Sequence, residues 1–219
     1  MTDDLVETAV LTRLVVNTAC SAARKDLSDV HLMHQAITKM ACPPDFGPAS
    51  RSAAGLLYRV EQTAAGVSVL VQSRTVIDPA RVTAGYAHAG TRGLDQLLDR
   101  FDERPFVRYR IVANATKRSA SPGAGLRGNL HPVVGDGALS WWERKAEQAG
   151  LVLGTAELAR TLKLRGRQAK NDRELVITAS IFEGTAQVVT PDAARHAVLN
   201  GVGRGRAYGC GLLSLALLG

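Results

Sequence analysis

The stretch Gly201-Val-Gly-Arg-Gly-Arg-Ala-Tyr-Gly-Cys-Gly-Leu-Leu-Ser-Leu-Ala-Leu-Leu-Gly219 carries five glycines and two arginines into an apolar run that a sixth glycine follows. Within it, Gly209–Leu217 reads as a strand. Just before it, Pro191 opens a helix over Asp192–Leu199, proline being favoured at a helix start. Further back, Glu174–Val189 and Leu151–Leu158 read as strands. Ser140–Ala149 reads as a helix closed by Gly150, a residue suited to the left-handed position after a helix. Phe106–Ala113 is a strand. The order is β-α-β-β-α-β, the ferredoxin-like plan. The glycine-arginine segment therefore joins the last helix to the last strand. Glycine lets backbone N–H groups approach a bulky partner, and arginine offers a forked, permanent charge suited to phosphate. Gly201, Gly203, Gly205, Gly209 and Gly211, with Arg204 and Arg206, are expected to meet an RNA backbone. The competing reading is a flexible glycine tail, against which the apolar Leu212–Leu218 run argues. A nucleotide-phosphate loop would need a Lys after its glycines, and a dinucleotide fingerprint a helix after them. Neither is present.

The first half follows the same plan. Val10–Asn17 alternates and is rich in β-formers, so it reads as a strand. Ser28 can cap a helix over Asp29–Ala41, with Val30, Met33, Ile37 and Met40 on one face. Gly55–Gln62 and Val67–Ser73 read as strands joined at Ala65-Gly66. Thr91–Phe101, with Leu94, Leu97 and Leu98, reads as a second helix, and Val82–Ala89 is the candidate closing strand. The expected fold is α+β: two tandem ferredoxin-like (RRM-like, βαββαβ) domains, 1–99 and 104–219. Asn114–Gly137, rich in Gly, Pro and Ser, is expected to be a long loop, which in a compact domain is functional or disordered.

Charge divides unevenly between the halves. Residues 1–100 hold ten Lys/Arg and ten Asp/Glu, whereas 101–219 hold seventeen and ten, so the whole net charge of +7 lies in the second half. That asymmetry favours a polyanion-binding face over a merely soluble surface. The three cysteines, Cys20, Cys42 and Cys210, are scattered and form no CxxC pair, which points away from a disulfide framework and toward a reducing, cytoplasmic setting. The sequence shows no signal-peptide pattern at its start and no apolar run long enough to span a membrane.

His31 and His34 sit three apart near the start of the long helix, on one face beside the apolar stripe. A helix N-terminus favours phosphate, and histidine exchanges protons near neutral pH. RNA cleavage by 2′-hydroxyl attack needs a base and an acid around one phosphate, which a histidine pair supplies. Arg24 and Lys25, just before that helix, would neutralise charge developing on the phosphorane. Three other readings stay open: surface histidines, an ordinary helix residue bonded to the core, or two metal ligands with Cys42 as a third. His88, His131 and His196 are isolated. Lys163, Arg165, Arg167, Lys170 and Arg173 lie on an expected exposed hairpin around Gly166 that would follow RNA phosphates. A solvated hairpin tip is the alternative. Lys117 and Arg118 are expected to end the strand Phe106–Ala113 and to reach the same ligand. Aromatic residues make up only 5% of the chain, which disfavours a base-stacking platform and favours recognition of shape and backbone.

Three segments carry a resemblance: Leu11–Asn17 through Met33-His34-Gln35; Arg108-Tyr-Arg-Ile-Val-Ala-Asn114-Ala-Thr-Lys117; and Gly201-Val-Gly203 with Gly209-Cys-Gly-Leu-Leu-Ser214. With their order and spacing, the chain resembles, over nearly its whole length, the CasE family of CRISPR repeat-RNA endoribonucleases from the type I-E Cascade complex. The resemblance implies two ferredoxin-like domains and cleavage of a repeat hairpin at the base of its stem without metal or other cofactor. It implies a catalytic histidine at His34. Family members often carry a tyrosine where this chain has His31, which leaves the part played by His31 open. The implied partners are CRISPR repeat hairpin RNA and other Cascade subunits, with the free protein a monomer. An inactive RNA-binding Cascade subunit is the alternative.

Overall fold

The computed structural model describes residues 5–42, 54–120, 128–168 and 173–218. The first half opens with strand β1 (Leu5–Val16), followed by helices α1 (Ser21–Ser28) and α2 (Val30–Ala41), then strands β2 (Leu57–Thr63), β3 (Gly66–Thr75) and β4 (Ala87–Gly93). They form a four-stranded sheet in the order β2-β3-β1-β4, every pairing antiparallel. The core lies under α2, whose Met33, Ala36, Ile37 and Met40 pack with Leu14, Val16, Tyr58, Val69 and Val71. These are the positions at i, i+3, i+4 and i+7 that a core-facing helix buries.

The cap differs from expectation. Asp29, in extended backbone, caps α2 by accepting from the N–H groups of His31 and Leu32. Ser28 instead ends α1 and donates to the Lys25 carbonyl. The expected helix over Thr91–Phe101 is also displaced. Thr91–Gly93 belong to β4, the helix α3 is one short turn at Asp95–Asp99, and the link from β3 to β4 holds only a 3-10 turn at Pro79–Arg81. Leu94 and Phe101 are buried in the core of the second sheet rather than the first.

The second half comprises β5 (Phe106–Ala113), β6 (Thr116–Arg118), β7 (Leu130–Pro132), α4 (Asp136–Gln148), β8 (Leu151–Gln168), β9 (Arg173–Val188), α5 (Pro191–Asn200) and β10 (Ser214–Leu217). Its four-stranded antiparallel sheet runs β10-β5-β9-β8. Trp142 stacks on Phe182 at 5.7 Å between ring centroids, with the Tyr109 ring tilted at 43° to it and 5.4 Å away. The span expected as one long loop contains β6 and β7, which pair with each other, and the start of α4; residues 121–127 lie outside the described part.

Two polar side chains lock the sheets together. Arg59 on β2 is 2% exposed. It donates to the carbonyls of Arg110 and Leu212, to Ser214 Oγ, and to Glu61 at 2.7 Å. Burial lowers its pKa, opposed chiefly by the Glu61 carboxylate. Gln72 on β3 donates its amide to the Val198 and Leu199 carbonyls at the end of α5. Those carbonyls lack intrahelical partners, so a borrowed donor completes the helix end.

Candidate active site

Three pieces of chain meet around α2. The first is α2 itself, which holds His31 and His34, both half-buried. The second is the outer arm of β8, and the third is the 3-10 turn Arg206–Tyr208 within the glycine-rich loop. Tyr208 lies edge-on to His34, with ring centroids 6.0 Å apart and planes at 69°. Such T-shaped pairs are favoured by the ring quadrupoles. The Tyr58 hydroxyl is within donating reach of Val30 O at 3.4 Å and Ala207 O at 3.2 Å, which ties α2 to that turn. His31 Nε2 lies 3.2 Å from the Gln35 amide nitrogen, while its Nδ1 is buried and meets no hydrogen-bond partner among the described residues.

The N-terminal turn of α2 is not an open phosphate site. Asp29 Oδ1 occupies the His31 and Leu32 amides at 2.7 and 3.1 Å, and a carboxylate there repels an incoming anion. Arg24 and Lys25 lie ahead of the histidine helix, as expected, but within a helix of their own, α1. The Arg24 guanidinium donates to the carbonyls of Thr18 and Ala19, which fastens the turn between β1 and α1. Lys25 is exposed. Cys42 follows the last turn of α2, eleven residues from His31, and at 1.5 Å per residue about 16 Å of helix separates them. One ion cannot be held by both. Among the described residues, no group of three His, Cys, Asp or Glu is placed to hold a metal.

The basic hairpin exists as the outer part of β8 and β9 and extends further than the sequence reading gave it. Lys163 Nζ donates to Thr178 Oγ1 at 2.7 Å, and Arg165 pairs with Glu174 at 2.8 Å, both of them more than half exposed. The Arg167 side chain is exposed. Lys170 lies outside the described residues. Lys117 and Arg118 are exposed on β6, in the separate two-stranded sheet and not at the end of β5.

Arg204 is exposed and bridges Asn114, and Arg206 Nε donates to the Gly203 carbonyl. The loop glycines all have positive φ. Gly201, Gly209 and Gly211 are buried, and their missing side chains face protein: a Cβ on Gly209 would sit 3.3 Å from the Tyr58 ring, and one on Gly201 2.9 Å from the Gly211 carbonyl. Close packing of the loop on itself and on Tyr58 therefore accounts for these three glycines. Cys210, between two of them, is fully buried, and burial pushes its thiol up to about 12.

The sequence reading missed Asp29, Tyr58 and Tyr208. Tyr208 had a signal, as the single aromatic in the glycine-rich stretch; its contact with His34, far away in sequence, left none. A cavity of about 410 Å³ opens beside the cluster, walled by Val30, Met33, Leu164 and Tyr208, with Lys163 and Glu61 among its polar atoms.

Residues 10–216 match a family described as CRISPR associated protein. The chain is 32% identical to the CRISPR-associated endoribonuclease Cse3 of Thermus thermophilus, over 94% of this chain and 99% of that protein. It is similar to the structure of Thermus thermophilus Cse3 bound to an RNA representing a pre-cleavage complex, with TM-score 0.79 and 30% identity, covering 95% of this chain and 99% of that one. It is also similar to a chain of a CRISPR RNA-guided surveillance complex, pre-nicking, with TM-score 0.71 and 34% identity, covering 95% and 100%.

Proposed function

The chain belongs to the CRISPR-associated protein family, and on that footing we propose that it cuts CRISPR precursor RNA at the base of the repeat hairpin without metal. It is an endoribonuclease of that system, it takes the repeat hairpin RNA as substrate, and it works with the other subunits of a Cascade surveillance complex. The finer reading concerns chemistry. The observation that carries it is the placement of His34 on α2, against Tyr208 and beside the hairpin that bears Arg165 and Arg167.

In this reading the 2′-hydroxyl of the nucleotide before the cut attacks the adjacent phosphorus. The 2′-O–P bond forms as the P–O5′ bond breaks, leaving a 2′,3′-cyclic phosphate and a 5′-hydroxyl. One group takes the 2′ proton and another delivers a proton to the leaving oxygen. His34 does one of these, since histidine can take or give a proton near neutral pH. His31, where the family often has tyrosine, is the second proton carrier or a phosphate donor. Orientation and stabilisation of phosphorane charge supply most of the rate. Arg165, Arg167, Lys163 and Lys170 grip the stem, Lys117, Arg118, Arg204 and Arg206 extend the basic face, and Lys25 lies nearby on α1. Two domains, 1–99 and 104–219, form one body in the cytoplasm, monomeric until it joins the complex. It stays on its product RNA, because a stem held by many phosphate contacts leaves slowly.

The test is incubation with a repeat-hairpin RNA in excess EDTA, alongside His34→Ala. Cutting by the parent and none by the variant, with both binding alike, is the expected result. Cutting that survives in His34→Ala overturns the role of that residue. No cutting by either, in EDTA or with Mg²⁺ restored, and with binding intact, leaves an inactive structural subunit.

A further inference from the structure

Asp29 uses both of its carboxylate oxygens. Oδ1 caps α2 through the His31 and Leu32 amides, whereas Oδ2 accepts from the Arg167 backbone N–H at 2.9 Å, 138 residues away in sequence. Gly166, the buried residue of the arm 161–167, presses on the same spot. A Cβ there would lie 2.9 Å from Asp29 Oδ1, 3.0 Å from His31 N and 3.0 Å from Val30 Cγ2. A hydrogen bond and a side-chain-free close approach thus fasten the basic hairpin to the first turn of the histidine helix. The residues on either side, Arg165 and Arg167, point their side chains outward.

We propose that Asp29, with Gly166, is a positioning device that fixes the basic hairpin relative to His31 and His34, so that the place where the stem is gripped sets the phosphate that is cut. The proposal rests on the nuclease reading above. Its chemistry is that of a ruler. If the hairpin holds phosphates and α2 presents the imidazoles, the distance between grip and cut is set by what joins the two. Asp29 touches neither RNA nor the reacting phosphate in this scheme; it acts through the elements it joins.

Asp29→Asn separates capping from fastening. Asparagine caps helices as well as aspartate does, but one of its two terminal atoms is an NH₂ donor, which would face either the Arg167 N–H or the helix amides. Gly166→Ala attacks the same joint by bulk. Parent, both single variants and the double variant are compared on repeat-hairpin RNA under single-turnover conditions, with product ends mapped. Each single variant is expected to bind the hairpin within about 3-fold of the parent yet cut roughly 10- to 100-fold more slowly, the size of loss that misplacement by about 1 Å produces. Their product ends are expected to spread to a neighbouring phosphate. The double variant is expected to be no slower than the slower single one, because both changes undo one joint. Parent-like rate and a single product end in Asp29→Asn overturn the proposal, as do single effects that multiply in the double variant. A parent that fails to cut refutes the nuclease reading instead. The joint is then judged by amide exchange: RNA is expected to slow exchange at His31 and Leu32 in the parent and not in Asp29→Asn, and equal protection in both overturns it.

Discussion

Tyr208 and His34 form the aromatic contact of the candidate site. The edge-on geometry packs the Tyr208 ring against the His34 imidazole. Aromatic pairs of this kind are worth about 0.5–1.5 kcal/mol beyond area. Tyr208→Ala is therefore expected to slow single-turnover cutting by roughly 2- to 12-fold, and Tyr208→Phe, which keeps the ring, to lose less. Equal losses in the two variants would assign the effect to the hydroxyl. A second residue, Asp26, links structure to pH. Burial raises its carboxyl pKa, while the Tyr86 hydroxyl donating at 3.0 Å and the nearby Lys25 work against that. A raised folded-state value means the folded protein holds the proton more tightly than the unfolded chain. The associated stability is present below the ordinary carboxylate value of about 4 and fades as pH climbs through the raised one. Asp26→Asn, whose carbonyl still accepts from Tyr86, is expected to melt above the parent at pH 7. That advantage should vanish below about pH 4, in the ordinary carboxylate range; a difference that does not vary with pH would refute this. The two residues differ in how far the sequence shows them. The place of His34 on the long helix was legible from its spacing. Asp29 was hidden because Ser28 is an equally good cap by type, and only the extended backbone at 29 decides between them.

At the scale of elements, strong periodicity was readable and weak periodicity was not. β1, α2, the β2–β3 pair, β5 and α5 each bury a regular face, and each lies within a few residues of its expected span. β4 was misplaced because Ala87-His-Ala-Gly-Thr-Arg-Gly93 is an edge strand with almost no buried side chain, so the alternation that marks a strand is missing. The leucines that follow it have helical spacing, yet they serve the other sheet's core. β8 was cut short at Leu158, where the register slips before Arg160 and breaks the count of two. The hairpin built from that long strand carries its own prediction. Arg165 and Glu174 are 65% and 61% exposed, so their pair is worth only about 0.2–1 kcal/mol and yields readily to phosphate. Arg165→Gln is expected to weaken binding to every hairpin alike and to lower the slope of log affinity against log salt by about one. An unchanged slope would place that arginine away from the RNA.

Over the whole molecule, the two sheets share polar contacts that neither half can satisfy alone. Arg59 sits at their junction with bonds to both. Arg59→Met strips the Arg110 and Leu212 carbonyls of a donor and leaves Glu61, among the described residues, the Arg110 guanidinium at 3.8 Å. The expected cost is about 3 kcal/mol, as for other broken buried pairs. For a chain of this size that is a fall of roughly 10 °C in melting temperature, measurable by calorimetry; a change within about 1 °C would mean the junction tolerates a neutral side chain. Sequence could not reveal this junction, since Arg59 and Gln72 look like outward residues of an amphipathic hairpin until the second sheet covers them. The Gln72 amide has a further consequence. By finishing the end of a helix that the chain makes some 120 residues later, it makes the halves unequal heirs of a tandem plan. Cut between its halves, the chain would leave that helix end short of a donor, so the second half alone is expected to be less stable than it is within the whole.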